Sequence, residues 1–242
     1  MQRPKNVIHI LSALDGKITG PFMGLAATRT ANREYARIRT EYHADAWLYG
    51  TVTTKEFTDH QKPILDDQDI SSSLDDFIAD REAALYYVSI DALGEIGWES
   101  GIFQSPGRPD AHIIEVLTEQ ASPAYRAYLR RHGVSYIFAG EKSLDCKIAC
   151  EKLYRMFDIQ TMLICGGGGI NWTFLQQGMV DELSLLLAPA ADGDPDSVTV
   201  FEQSPFLSKS IPATFKLKDV ERLEGDAVRL VYTIVDPKVG AQ

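Results

Sequence analysis

Four consecutive glycines at 166–169 separate an apolar, strand-like run at 161–165 from a helical run at 170–177. Because glycine has no side chain, another molecule can approach its backbone closely, and a helix start offers unpaired N–H groups and a positive dipole end. Such a place suits a dinucleotide diphosphate. The run does not match the G-x-G-x-x-G fingerprint, and no acidic residue follows at the expected distance. The glycine run therefore predicts either a ligand-binding loop or a tight turn without a ligand.

The rest of the chain alternates apolar strand-like runs with helical segments. Strands are predicted at 6–14, 44–49, 84–90, 112–117, 134–138, 161–165 and 182–188. Helices are predicted at 33–42, 123–132, 144–157 and 170–177, with Thr30 or Asn32 capping the first, Ser143 capping the third and Gly178 closing the last. The segments 213–223 and 227–235 predict a closing hairpin. We therefore expect an α/β fold over residues 1–242 as one domain, with a mixed, mostly parallel sheet, helices on both faces and a C-terminal antiparallel hairpin.

Two further segments follow predicted strands. Gly50-Thr51-Val52-Thr53-Thr54 comes directly after the second strand, and Ser12–Ile18, which contains Asp15-Gly16, ends the first. Open α/β sheets bind ligands at the carboxyl ends of their strands, so both segments and the glycine run are candidates to face one crevice. The alternatives are helix capping by Thr51 and a simple turn at Asp15-Gly16.

Composition excludes several classes of function. With 34 acidic and 24 basic residues the net charge is -10, so nucleic acid is not an expected partner. No apolar run approaches the length that spans a bilayer, so no membrane role is expected. Three cysteines without C-x-x-C spacing indicate neither a disulfide framework nor a metal site, and the expected compartment is the cytoplasm. The polar stretch 58–76 predicts a surface loop that serves as a lid or a spacer.

The same residues resemble the dihydrofolate-reductase-like family that includes the reductase half of the bifunctional riboflavin-biosynthesis deaminase/reductase. The resemblance covers almost the whole chain. It rests on S-A-L-D-G-K-I at 12–18, Ile38-Arg39 with ADAWLYGTVT at 44–53, GGGGINWTFLQQGMVDELSLLLAP at 166–189, and the terminal hairpin. The deaminase signatures H-x-E and P-C-x-x-C do not occur, so no deaminase half is expected in this chain.

The resemblance implies reduction of a ribosylamino-pyrimidine phosphate by NADPH, with hydride transfer to the C1′ imine of the opened sugar and no catalytic nucleophile. It also implies a homodimer, whose interface the strand 182–188 could line. The cofactor contacts that it implies are Ser12, Ala13, Gly50, Thr51, Val52, Ser89, Gly166, Gly167, Gly168, Gly169 and Ile170. The substrate-side residues that it implies are His9, Asp15, Thr28, Arg39 and Cys165. For His9 the alternative is a core histidine, and for Arg39, whose implied partner is the substrate phosphate, a solvated residue near the helix end.

Three positions depart from the family pattern. Relatives commonly carry Glu where this chain has Cys165, and the riboflavin enzymes carry Asp where it has Lys55. In this family the 2′-phosphate of NADPH usually sits just beyond the strand that ends here at Ser89-Ile90, so the resemblance implies Ser89 as its donor, whereas Asp91 would repel that phosphate unless its side chain turns away. The two lost acids put the riboflavin substrate in question more than the cofactor. A reductase of another pterin-like or carbonyl substrate, and a nucleotide-binding protein without catalysis, are therefore alternatives.

Overall fold

A computed structural model of the chain describes residues 2–66, 74–204, 207 and 210–235. The strands of this part are β1 (Lys5–Ser12), β2 (Ala46–Gly50), β3 (Tyr86–Ile90), β4 (Ile102–Phe103), β5 (Ala111–Leu117), β6 (Ser135–Phe138), β7 (Thr161–Ile164), β8 (Glu182–Leu187), β9 (Thr214–Arg222) and β10 (Val228–Val235). The α-helices are α1 (Ala26–Glu41), α2 (Thr51–Phe57), α3 (Pro123–Arg131), α4 (Cys146–Phe157) and α5 (Gly168–Gln176). The predicted mixed, mostly parallel α/β arrangement with a C-terminal antiparallel hairpin is confirmed.

The chain forms two compact units, each described here by itself. Within the described residues the first unit comprises 2–4 and 45–162, and the second comprises 5–44 and 163–235. Strand β7 spans the point at which the chain passes from the first unit to the second. The expectation of a single domain stays a prediction.

In the first unit, β2, β3, β5 and β6 are parallel neighbours in the order β2-β3-β5-β6, and β4 runs antiparallel to β5. Their residues are almost all buried, which is typical of parallel strands covered on both faces. In this register Ser89 on β3 lies opposite Glu115 on β5, so two polar side chains share the interior of the unit.

In the second unit, β8 lies between β1, which is parallel to it, and β10, which is antiparallel, and β9 pairs with β10. Helix α1 packs on one face of this sheet, where Ala31 and Ile38 meet Leu11 and Leu186. The other face carries Leu185 and Leu187 of β8, the β10 partner Leu230, and Val220 of β9. Val220 is 54% exposed, so apolar area of this face stays open to solvent.

Three helix starts differ from the sequence prediction. Helix α1 begins at Ala26 rather than at 33, and Leu25 is its N-cap. Thr28 and Ala31 belong to the buried face of the helix, so this face starts before Arg33, where the prediction placed the first helical residue. The cap of α4 is Asp145, whose carboxylate accepts from the Ile148 backbone N–H at 3.0 Å, and not Ser143.

Helix α5 begins at Gly168 rather than at 170, so two of the four glycines belong to its first turn. The predicted closure of this helix is confirmed, because Gly178 has a φ of +69°. Helix α2 and strand β4 were not predicted.

The predicted polar loop at 58–76 is described at 58–66 and at 74–76, where the chain is irregular beyond the turn that ends α2, and its centre at 67–73 lies outside the described residues. None of the helices in the described ranges combines the length and apolar character that a membrane span needs.

Candidate functional site

The glycine run in the second unit forms the turn into α5. Gly166 has a φ of +108°, a left-handed conformation that side chains disfavour, and Gly167 is the helix N-cap in an extended conformation. The strand-to-helix turn itself therefore requires glycine at 166. That requirement holds with or without a ligand.

The two helical glycines differ in their surroundings. A Cβ at Gly168 would lie 2.3 Å from the Thr199 carbonyl oxygen, and the Glu202 backbone N–H donates to the Gly168 carbonyl at 3.2 Å. Packing against segment 199–202 thus accounts for Gly168. A Cβ at Gly169 would meet no atom within 4 Å, so its backbone is open to an approaching molecule.

The end of β1 contributes Ser12 and Ala13, and both are fully buried. The Ser12 hydroxyl donates to the Ala13 carbonyl at 3.0 Å, and the Ala13 N–H donates to the Lys17 carbonyl at 2.8 Å. Ile170, in the first turn of α5, is also buried. Because Ser12 and Ala13 have no exposed surface, they would have to be uncovered before they could contact a ligand.

His9 is fully buried in β1 and uses both ring nitrogens. Nε2 lies 3.0 Å from the Tyr35 carbonyl oxygen, which can only accept, so Nε2 carries the proton. Nδ1 then accepts from the Ser184 hydroxyl at 3.1 Å, and Ser184 in turn accepts from Arg229 Nε. Burial lowers the pKa of His9 from 6.5 to about 3, helped by the charges of Arg229 and Arg39, so the ring is neutral.

This geometry matches a core histidine, the alternative from the sequence. The imidazole also stacks on the Tyr35 ring at a centroid distance of 4.4 Å. A substrate contact through His9 would require this network to open, and the substrate role of His9 stays a prediction.

Two other residues expected on the substrate side lie on α1. Thr28 is fully buried near its start. Arg39 lies in its last turn, and it is buried rather than solvated, with its guanidinium carbon 5.8 Å from the centre of the Tyr35 ring. The solvated alternative for Arg39 is therefore wrong, because its side chain packs beneath the helix.

Asp15 is exposed, but its carboxylate already has partners. Oδ2 accepts from the backbone N–H groups of Asp192 at 3.1 Å and Gly193 at 2.8 Å. The Gly193 N–H is the main reason why the pKa of Asp15 lies below its ordinary value. Cys165 is a buried cysteine outside any disulfide, directly before the glycines, and its thiol donates to the Leu163 carbonyl.

The remaining expected contacts lie in the first unit. Gly50 is the N-cap of α2 and Thr51 its first residue. The Thr51 hydroxyl donates to the Ile90 carbonyl at 2.6 Å, so it ties α2 to the end of β3 instead of capping the helix. Val52 is 72% exposed and leaves an apolar surface at this helix start.

Ser89 is fully buried beside two acids, Asp91 and Glu115, of which the sequence analysis considered only Asp91. Trp98 Nε1 donates to Glu115, while Asp91 Oδ2 accepts from the Glu95 and Ile96 backbone N–H groups. Burial, and then the charge of Asp91, raise the pKa of Glu115 well above its ordinary value. Burial also raises the pKa of Asp91.

The side chain of Asp91 is therefore turned into the interior, which removes the expected repulsion of a phosphate at this strand end. Because Ser89 has no exposed surface, it would have to be uncovered before it could contact a cofactor.

Lys55, at the position of a family acid, forms an ion pair with Glu95 at 2.7 Å. Both side chains are partly exposed, so the pair contributes at most about 1 kcal/mol to stability. Lys55 lies one helical turn after Thr51, and whereas Thr51 contacts the last residue of β3, Lys55 contacts the segment that follows β3. The departure at this position is thus accommodated by an acid elsewhere in the same unit.

Comparison with known proteins gives one family match and similar curated relatives. Residues 107–229, half of the chain, match the model of the family described as the RibD C-terminal domain. A curated relative from Methanothermobacter thermautotrophicus, named 2,5-diamino-6-ribosylamino-4(3H)-pyrimidinone 5′-phosphate reductase, is 30% identical over 93 residues, which are 38% of this chain and 42% of the relative. The chain spans about two fifths of the length of the curated relatives that it matches.

Solved structures match over nearly the whole chain. A pyrimidine reductase-like protein from Corynebacterium diphtheriae has a TM-score of 0.66 and 17% identity over 96% of this chain and 92% of that one. The riboflavin biosynthesis reductase Rib7 of Saccharomyces cerevisiae has a TM-score of 0.58 and 18% identity over 96% of this chain and 90% of that one. At these identities the likeness establishes the shared fold.

Proposed function

Because the chain belongs to the RibD C-terminal domain family, we propose that it is an NADPH-dependent reductase of a ribosylamino-pyrimidine phosphate, of the type used in riboflavin biosynthesis. The hydride is transferred to the C1′ imine of the opened sugar, and the nicotinamide cofactor supplies it. The protein need only hold the two reactants together and keep water out, so no nucleophile is required.

The open backbone at Gly169 carries this proposal. In the first turn of a nine-residue helix, it offers N–H groups to an anionic group with no side chain in the way. Within the second unit we assign the cofactor to Ser12, Ala13 and residues 166–170, and within the first unit to Gly50, Thr51, Val52 and Ser89. The assigned substrate-side residues are His9, Thr28, Arg39 and Cys165, whereas the carboxylate of Asp15, also expected there, already accepts from the backbone at 192 and 193.

Fluorescence titration with NADPH, and separately with NADH, tests the cofactor assignment. Addition of the ribosylamino-pyrimidine phosphate should then remove the reduced-nicotinamide absorbance. Binding with oxidation supports the proposal, whereas absence of binding contradicts it. Binding without oxidation would leave either a reductase of another substrate or a nucleotide-binding protein.

Substitution at Gly169 tests the observation on which the proposal rests. In Gly169→Leu the side chain would fill the open space, and we expect cofactor affinity to fall by tenfold or more. The fold should tolerate the change, because the replacement of a helical glycine stabilises a helix by about 0.5–1 kcal/mol. Unchanged NADPH affinity in a variant that unfolds like the wild type would show that the cofactor does not approach this turn.

A second candidate is reduction of another pterin-like or carbonyl substrate with the same cofactor. Two observations favour it: Lys55 replaces a family acid and pairs with Glu95, and the thiol of Cys165 stands where relatives have a carboxylate. Both substitutions remove a hydrogen-bond acceptor for a ribosylamino-pyrimidine. A panel of pterin and carbonyl substrates, assayed with the same cofactor, distinguishes the two candidates.

We also propose that the protein is a cytoplasmic homodimer. Strand β8 has both edges paired, so it cannot join two copies edge to edge, but the exposed face of β8, β9 and β10 can meet a second copy. Leu217 and Val220 on β9, 51% and 54% exposed, would be covered in such a dimer. Its cytoplasmic location is consistent with three buried cysteines that form no disulfide.

Light scattering should give about twice the monomer mass of 26.9 kDa. The variants Leu217→Glu and Val220→Glu should dissociate the dimer, since each would bury an unpaired charge. Thr214→Glu, an exposed position on the same strand but the opposite face, is the matched control. A wild-type protein that is monomeric at micromolar concentration would contradict the proposal.

A further inference from the structure

Two loops of the second unit are joined by a pair of aspartates far apart in sequence. One loop follows β1 (residues 13–25), and the other follows β8 (residues 188–200). Asp15 on the first loop accepts from the backbone N–H groups of Asp192 and Gly193 on the second, at 3.1 and 2.8 Å. The Asp15 carboxylate thus fixes the backbone of the β8 loop.

Asp192 makes the return contact. Its Oδ2 accepts from the Phe22 backbone N–H on the β1 loop at 3.1 Å, while its Oδ1 accepts from the Ser197 hydroxyl at 3.1 Å. Gly20 has a φ of +124°, and a Cβ there would lie 2.5 Å from Asp192 Oδ2, so only glycine lets this carboxylate reach its place. Each aspartate therefore holds the backbone of the other's loop.

Further contacts join the two loops beside the Asp15 and Asp192 bonds. The Leu14 N–H donates to the Ala190 carbonyl at 2.7 Å, and Ala13, Phe22 and Ala190 pack together beneath the two loops. Lys17 Nζ donates to the Ser197 carbonyl at 2.7 Å. The two loops are thus linked at several points and form one platform, which we call the aspartate-locked platform (residues 13–25 with 188–200).

The alternating acids Asp192, Asp194 and Asp196 suggest a cation loop by sequence, but the geometry differs. Asp194 accepts from the Asp196 backbone N–H, and Asp192 accepts from the Asp194 backbone N–H. In the part of the chain that the structure covers, no three acidic, histidine or cysteine side chains are grouped so as to hold a metal ion. The carboxylates of Asp192 and Asp194 instead shape and fasten the loop.

We propose that Asp15 and Asp192 are positioning residues for the reductase reaction and that neither is a substrate ligand. The platform begins at Ser12 and Ala13, the proposed cofactor contacts on β1, and it exposes the apolar side chain of Leu14, which is 64% exposed. Locking the two loops fixes this apolar surface next to the cofactor contacts. The inference rests on the proposed function, because it assigns the role to that reaction.

Single and double alanine variants separate positioning from substrate binding. In Asp15→Ala and Asp192→Ala we expect kcat to fall by about 10- to 100-fold, more than KM rises, because a misplacement of about 1 Å costs up to about 100-fold in rate. The double variant should be no worse than either single one, since both remove the same lock. Asp192→Asn, which keeps an acceptor oxygen, should recover part of the activity.

Asp196→Ala is the matched control, because only its backbone N–H takes part in the loop contacts described above. It should retain wild-type kinetics. If Asp15→Ala loses activity while Asp192→Ala does not, or if the two effects multiply, Asp15 acts directly on the substrate and the proposal is wrong.

Amide hydrogen exchange tests the lock without any turnover. Asp15→Ala should speed exchange at the Phe22 amide, which Asp192 holds, and Asp192→Ala should speed exchange at Gly193, which Asp15 holds. Such crossed effects in a protein without reductase activity would disprove the proposed function and leave the lock intact. Exchange that rises only at each residue's own partner would overturn the lock itself.

Discussion

The buried His9 makes the stability of the second unit depend on acid in a way that one substitution can remove. Its pKa is about 3 in the folded protein against an ordinary value of 6.5. Since the folded state holds the ring neutral, the stabilising contribution is complete above pH 6.5 and is lost as the pH falls toward 3. Gln at this position can occupy the same hydrogen bonds and never becomes charged.

The expected size of the effect follows from these two values. Each pH unit between 6.5 and 3 lowers the free energy of unfolding by about 1.4 kcal/mol. At pH 5 the loss relative to neutral pH is about 2 kcal/mol, which is a large part of the stability of an ordinary domain. His9→Gln should lack this part of the acid dependence, whatever its stability at neutral pH.

The assay is urea unfolding at pH 7.5, 6 and 5, followed by circular dichroism and by the fluorescence of Trp172, which lies in the second unit. The wild-type curve should fall more steeply with acid than that of His9→Gln, by about 2 kcal/mol at pH 5. His60→Asn is the control, because His60 is exposed and its left-handed backbone suits Asn. Parallel curves for wild type and His9→Gln would refute the assignment of a neutral, buried ring.

Two further predictions concern the first unit. Glu115→Gln should make the stability depend less on pH above the ordinary range of a glutamate. Because the pKa of Glu115 is raised in the folded state, its contribution to stability is complete below its ordinary pKa and is lost as the pH rises toward the raised one. Urea unfolding at pH 5 and pH 8, read by Trp98 fluorescence, checks this, and equal slopes for variant and wild type would contradict it. Asp145→Ala should cost about 1 kcal/mol through the lost cap of α4, whereas Ser143→Ala should cost nothing measurable by thermal unfolding; the reverse order would favour the cap predicted from sequence.

The sequence predicted the strands within two residues at most ends because their apolar runs are short and bounded by polar residues. Helix starts were harder to place. The buried face of α1 begins with Thr28 and Ala31, which carry little hydrophobic signal, so the pattern became visible only further along the helix. At α4, Ser143 and Asp145 are both good caps by residue type, and only the backbone decides between them.

The candidate site shows a different limit of sequence reasoning. Gly168 and Gly169 are neighbouring residues of the same type in the same motif. The Thr199 carbonyl, far along the chain, occupies the space beside Gly168, whereas the space beside Gly169 is open. The partners of Asp15 lie at 192 and 193, so no local pattern could assign its carboxylate. Local sequence identified the small and polar positions, and the long-range contacts decided what each of them does.

The separation between Asp15 and Asp192 has a consequence for folding on the ribosome. The first unit is nearly contiguous in sequence, so it can form as soon as residue 162 has emerged. Strand β1 must wait for its sheet neighbours β7 and β8. During synthesis the apolar residues of β1 therefore stay unpaired while the residues of the first unit are added, and this nascent segment is where a chaperone would be expected to act.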